Sequence, residues 1–358
     1  MSFLYRWISP LYDAFFCPSL PFTIRWRLIA FQPLLFLTNT IQYFQGTTLL
    51  SQNETVIWIP LSRSPGYSVR AIIYHPPRQE SRSEKKPLHL NIHGGGFLGG
   101  LPEGNAPFCR KVSAETGAVV VSTSYRYAPR YTFPVAHVDV QDVAGWLIKN
   151  ADRLWGADPR LMSVSGFSVG GNLALGIAQR LFRTEFRVKA AVLFYTPLIR
   201  GLVYKVDFRL PPWDKPKPAG FPAKDPLSFI LPLMDAYAGP ERAENMDYPL
   251  LHPIFAYIES LPRKMLIIGG KVDILLHEEM AFVKRLEEEA EIINQRIKSS
   301  PGAKGRSLDE TYHIESEFVD NQIHGWLELP SKFIDAKLRD RIFNDAVHFL
   351  NNVYNESI

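Results

Sequence analysis

Asn91-Ile92-His93-Gly94-Gly95-Gly96-Phe97 and, further along, Gly166-Phe167-Ser168-Val169-Gly170-Gly171 are the two stretches whose surroundings decide the fold. Pro87 to Ile92 reads as a short buried strand, and His93 with the three glycines follows it directly. Leu161-Met162-Ser163-Val164-Ser165-Gly166 reads as a second strand, and Gly171 to Phe182 has the apolar spacing of a helix. Ser168 therefore falls at a strand-to-helix turn. In a G-x-S-x-G turn the absent β-carbons let strand and helix crowd around a strained, outward-facing serine. The helix N-terminus adds partial positive charge behind it. The glycine run lets backbone N–H groups approach an oxyanion with no side chain in the way. A chance G-x-S-x-G turns up in roughly one chain of this length in ten. The motif alone thus decides little, and the order strand, elbow, helix selects a nucleophile over an ordinary turn serine.

Working outward, strand signals begin at Val56-Ile57-Trp58-Ile59 and at Ser68 to Tyr74. They return at Ala118 to Thr123, Lys189 to Phe194, Lys264 to Gly270 and Ile314 to Val319. Helical segments near Pro107 to Thr116, Val138 to Asn150, Glu278 to Ile293 and Asp335 to Tyr354 alternate with them. The alternation predicts an α/β fold: a mostly parallel eight-stranded sheet with helices on both faces. The rhythm breaks twice. Residues 1–50 read as two or three short aromatic-rich helices. The run Pro211-Pro212-Trp213-Asp214-Lys215-Pro216-Lys217-Pro218 suits neither a central strand nor a helix interior. The expected division is N-terminal cap helices (1–50), a first core part (51–205), a cap insertion (206–250) and a second core part (251–358). Gln79 to Lys86 and Ser299 to Asp309 read as polar loops.

The 358 residues, 46% hydrophobic, permit one large domain with insertions. The net charge of +4 is made of scattered basic residues matched by 36 acids, with no basic tract interleaved with aromatics, which excludes nucleic acid as a partner. Cys17 and Cys109 form neither a disulfide framework nor a metal cluster, so no metal or organic cofactor is expected and a reducing compartment fits. The first twenty residues lack a clean apolar core and a small-residue cleavage site, which points to the cytoplasm rather than secretion. Gln32, Pro33, Asn39 and Gln42 interrupt the apolar stretch Leu28 to Phe44, which is too short to span a membrane. It reads as helix packed on the protein, with peripheral membrane contact as the second option. The oligomeric state stays open, a homodimer included.

A serine on such a turn needs an acid and then a histidine later in the chain, both on loops just past strand ends. Asp273 follows the strand ending at Gly270, and His324 follows the strand ending at Val319. Glu278 and Asp247 are the alternative acids. His252, His277, His313 and His348 fall in the insertion, at a helix start, at a strand start and inside the last helix.

Together these residues resemble the hormone-sensitive-lipase-like branch of the α/β-hydrolases, the HGGG carboxylesterases. The resemblance covers roughly residues 85–205 and 245–330 and rests on motifs that each need a structural context. Besides the glycine run and the elbow it includes Tyr125-Arg126-Tyr127-Ala128-Pro129-Arg130, Phe133-Pro134-Val135-Ala136, Ala157-Asp158-Pro159-Arg160 and Asp273-Ile274-Leu275-Leu276-His277-Glu278. It implies an α/β-hydrolase fold with a helical cap and hydrolysis of a small-molecule carboxylic ester through an acyl-enzyme. It implies Ser168 as nucleophile, His324 as base, Asp273 as its orienter, and an oxyanion hole from the Gly94, Gly95, Gly96 loop with the N–H of Val169. His93 would brace that loop. The aromatic-rich cap points to an apolar, bulky substrate, with Phe97, Trp213, Phe221 and Trp326 as pocket candidates; Trp326 is equally readable as core. Three positions depart from the family pattern: Phe167 and Arg130 stand where acids are usual, and Val169 where alanine is. Packing is then expected to replace a polar network at the elbow. A lyase, cyclase or acyltransferase on the same triad is the alternative chemistry. A ligand-binding receptor on the same scaffold is the rival from another class.

Overall fold

Inner strands that are apolar on both faces, flanked by half-exposed edge strands, set the frame. In a computed structural model the strands are β1 (Glu54–Pro60), β2 (Ser68–Tyr74), β3 (Lys86–Ile92), β4 (Val119–Thr123), β5 (Ala157–Phe167), β6 (Ala190–Phe194), β7 (Lys264–Gly270) and β8 (His313–Val319). They form one sheet ordered β1-β2-β4-β3-β5-β6-β7-β8. The β1–β2 and β2–β4 pairings are antiparallel, and all others are parallel. The structure describes residues 3–18, 20–47, 53–77, 85–198, 234–238, 247–299, 311–329 and 334–357. Trp213, Phe221, the proline-rich run and most of both expected polar loops lie outside these residues.

The helices are α1 (Phe3–Phe16), α2 (Phe22–Thr47), α3 (Ala106–Thr116), α4 (Val135–Trp155), α5 (Val169–Leu181), α6 (Asp235–Ala238), α7 (Leu276–Ser299) and α8 (Ala336–Ser357). Side chains of β6 alternate between two cores. Ala190, Val192 and Phe194 pack with α3 and α8, while Ala191 and Leu193 pack with α4, α5 and α7. Burial on both faces is why these strands show no polar alternation in sequence.

The exception is a polar seam under α8. The β3–β5 register sets His89 opposite Ser163 and Asn91 opposite Ser165. Ser165 Oγ donates to Asn91 Oδ1 at 2.9 Å. It therefore accepts from His89 Nε2–H at 2.8 Å, and His89 Nδ1 accepts from Ser163 Oγ at 2.7 Å. Tyr354 of α8 bonds the same Ser163 hydroxyl. Burial pushes the His89 pKa down to about 3, so the ring is neutral and the seam carries no charge.

The N-terminal region is two helices, the second 26 residues long and running through Pro33. The Arg25 guanidinium closes the turn between them, donating to the carbonyls of Ala14, Phe15, Cys17 and Leu20. Arg130 fastens α1 to the core through Asp13, with Nη2 to Oδ1 at 2.6 Å and Nε to Oδ1 at 3.0 Å. Leu35 and Asn39 of α2 lie beside Gly99, just past the glycine run.

Candidate active site

Ser168 occupies the turn between β5 and α5 with φ 51° and ψ −126°, a conformation costly for a side-chain-bearing residue. The turn is that tight because a β-carbon on Gly166 would overlap the Gly170 backbone, and one on Gly170 would overlap the Ile92 carbonyl. The backbone is held from both sides: Ser168 N–H donates to Phe194 O, and Gly171 N–H donates to Ser168 O, each at 2.9 Å.

Ser168 Oγ lies 2.8 Å from His324 Nε2, and His324 Nδ1 lies 2.9 Å from Asp273 Oδ2. The carboxylate fixes the tautomer: Nδ1–H donates to Asp273, which leaves Nε2 to accept the serine proton. Asp273 is fully buried, and its other oxygen accepts the Leu275 N–H at 2.8 Å. Neither alternative acid holds the imidazole; Glu278 is buried in the first turn of α7, and Asp247 is exposed. His313 bonds Glu315 and His348 bonds Asn352. Burial disfavours the charged form of His324. The Asp273 charge and hydrogen bond, helped by the Glu328 charge, outweigh it and raise the pKa above its ordinary 6.5. A second acid beside the relay, Glu279, accepts the Thr196 N–H at 2.7 Å. Burial, and then the Asp273 charge, push its pKa well above the usual carboxylate range.

The glycine loop turns at Gly95, where φ is 108° and a β-carbon would overlap the Gly99 carbonyl oxygen. His93 braces the loop, donating from Nδ1 to the Gly94 carbonyl at 2.7 Å and stacking on Tyr125 with ring centroids 4.7 Å apart. Burial lowers its pKa to about 4, so it is a neutral strut. A β-carbon built on Gly94 would lie 3.4 Å from Ser168 Cβ, which puts this loop against the serine. The N–H groups of Gly95, Gly96 and Val169 take no acceptor among the described residues.

Of the pocket candidates, Phe97 is 3% exposed and stacks on Tyr237 at 4.0 Å. Trp326 is 1% exposed within the core on the α3–α8 side. Phe167 stacks on Phe194 at 4.2 Å and meets Phe108 and Phe343 edge-on, filling core behind the elbow. Arg130 departs from packing altogether, since its charge holds α1.

Sequence reasoning missed Glu328. It is half-buried, its carboxylate beside Gly94 and accepting from Asn105 Nδ2 and from Tyr195 O–H, each at 3.2 Å. The Tyr195 ring stands edge-on to His324 at 5.1 Å. Burial raises the Glu328 pKa, opposed by the Asn105 bond, the nearby His324 and the Tyr195 bond. Its one sequence signal is its place in the loop that carries His324.

The family described as alpha/beta hydrolase fold matches residues 89–296, more than half of the chain. The chain is similar to arylacetamide deacetylase of Oryctolagus cuniculus, 33% identical over 215 residues, covering 57% of this chain and 50% of that protein. It is similar to ethyl acetate hydrolase of Pseudomonas putida, 32% identical over 123 residues, covering 34% of this chain and 38% of that one. It thus spans half or less of the length of these curated relatives. Among solved structures, a Pyrobaculum calidifontis esterase superposes with TM-score 0.66 at 24% identity, covering 90% of this chain and 92% of that one. The carboxylesterase EstE1 from a metagenomic library gives 0.67 at 23%, covering 90% and 97%. At such identity these two are likenesses of fold. With the sheet order, the elbow at the end of β5 and the match across the core in agreement, the chain belongs to the α/β-hydrolase fold family.

Proposed function

We propose that the chain is a serine hydrolase that cleaves a carboxylic ester of an apolar small molecule through an acyl-enzyme. The observation that carries this reading is the continuous hydrogen-bonded line from Ser168 Oγ through His324 to Asp273. His324 Nε2 takes the hydroxyl proton as Oγ attacks the carbonyl carbon. The oxyanion accepts from the N–H groups of Gly95, Gly96 and Val169, positioned before the reaction begins. The tetrahedral adduct collapses, His324 returns the proton to the leaving alcohol, and the acyl group stays on Ser168. Water, deprotonated by the same nitrogen, then releases the acid. Asp273 orients the ring and stabilises the imidazolium. The names of the relatives, a deacetylase and an ethyl acetate hydrolase, support acyl hydrolysis. The apolar substrate rests on the aromatic composition of the segments expected to form the cap, residues 1–50 and 206–250. Cys17 and Cys109, with no disulfide between them, are compatible with a reducing compartment.

The test is turnover of p-nitrophenyl esters of increasing acyl length. The wild type should hydrolyse them, with longer acyl groups favoured in kcat/KM, and Ser168→Ala should cut kcat by about 10³ or more. Hydrolysis that survives Ser168→Ala would refute the reading.

A further inference from the structure

Helices that face water carry charge on that side. In α8 the exposed residues include Lys337, Asp340, Arg341, Asp345 and His348. The N-terminal pair does the opposite. Between residues 9 and 41, no exposed residue among those described carries a charge. Phe16 is 66% exposed, Phe22 77%, Leu34 51% and Leu37 56%. On α2, Phe22, Trp26, Pro33 and Leu37 recur at helical spacing and form one stripe about 22 Å long. The charged groups and Gln32 are turned inward: Gln32 is buried, the Arg25 guanidinium is spent on carbonyls, and Asp13 is held by Arg130, which leaves Thr23 and Thr38 as the exposed polar side chains described there.

We propose that the exposed faces of α1 and α2 are a docking surface for a phospholipid membrane, with both helices lying in the plane of the interface. A protein partner of ordinary kind would meet a polar rim around an apolar centre. Here the exposed side chains described from α1 to the far part of α2 are apolar apart from Thr23 and Thr38, with no exposed charge among them. Aromatic rings dominate, Tyr12 and Trp26 included, and such amphipathic rings sit at headgroup depth. Arg27 stacks over Trp26 and supplies a cation at that level. No helix among the described residues is long and apolar enough to cross a membrane, which leaves lying on the surface. Because Leu35 and Asn39 pack beside Gly99, docking would bring the candidate active site to the lipid surface. The proposal does not depend on the chemistry proposed for Ser168.

The experiment is vesicle co-sedimentation of the full chain carrying Ser168→Ala, so that no ester chemistry enters the readout. The vesicles are phosphatidylcholine, with and without phosphatidylserine. The chain should pellet with both and stay bound at about 0.5 M NaCl, since apolar insertion rather than charge holds it. Adding Phe16→Glu, Phe22→Glu and Leu37→Glu together should lower the partition coefficient by at least about tenfold. Circular dichroism should show the same thermal midpoint. A folded chain that stays in the supernatant with both lipids overturns the proposal. So does a chain that sediments as a dimer without lipid and loses that association with the same three substitutions, which would make the face a contact between copies.

Discussion

Four residues other than glycine take positive φ among the described residues: Phe97, Ser168, Tyr195 and Asn321. Phe97 is in the glycine loop, Ser168 is the elbow, Tyr195 follows β6, and Asn321 opens the loop that carries His324. Backbone strain gathers where reacting groups must be held against their local preference. Ser168→Gly and Ser168→Ala should both be inactive, yet glycine should be the more stable of the two by about 1 kcal/mol, read from chemical denaturation. Equal stabilities would mean that the elbow stores no strain. Glu328 acts at the same scale. The raised His324 pKa means that the neutral, basic form is won only as pH climbs through a value above 6.5. kcat/KM should therefore rise with pH along an acid limb above that value. Glu328→Gln removes one negative charge that favours the imidazolium, so the limb should move to lower pH. An unmoved limb with a lower thermal midpoint would reduce Glu328 to packing. For stability the sign is reversed. The contribution of protonated His324 is fully present below 6.5 and lost as pH rises through the folded-state value.

Among the elements, α1 is held where the family pattern has an acid. Burial raises the Asp13 pKa, and the Arg130 bond and charge pull it back. Arg130→Glu would set two carboxylates against each other and free the helix. Proteolysis within the first fifty residues should quicken by about tenfold, a loss of about 1.4 kcal/mol in local closing, while the core keeps its cooperative unfolding. Unchanged cleavage would show that packing alone holds α1. The elements themselves were largely legible. The inner strands β4, β6 and β7 were readable because burial on both faces keeps them apolar, the half-exposed edge strands β1 and β8 from shorter apolar signals, and α3, α5 and α8 because their apolar spacing is regular. The N-terminal helices were legible as helical and not in number, since Pro33 suggests a break where α2 continues. The seam of His89, Ser163, Ser165 and Asn91 was invisible, because it depends on the β3–β5 register, which local pattern does not contain.

For the whole molecule, the parallel strands β3, β5, β6, β7 and β8 all end at one edge of the sheet, and the loops leaving that edge meet at Ser168. Open parallel sheets place sites there because chain and helix N-termini converge. That convergence made Asp273 and His324 readable from order alone, since each follows a strand end; the structure brings both into hydrogen-bonded line with Ser168. Glu328 escaped because no strand end or motif marks it. Asn105 and Tyr195, which bond it, reach the site from distant stretches of chain. The measurement that bears most directly on the central claim is fluorophosphonate labelling followed by peptide mapping. A single adduct on Ser168 is expected, absent in Ser168→Ala and slowed by about 10³ in His324→Ala. A preparation that hydrolyses esters yet stays unlabelled at Ser168, or carries its adduct on another residue, would contradict it.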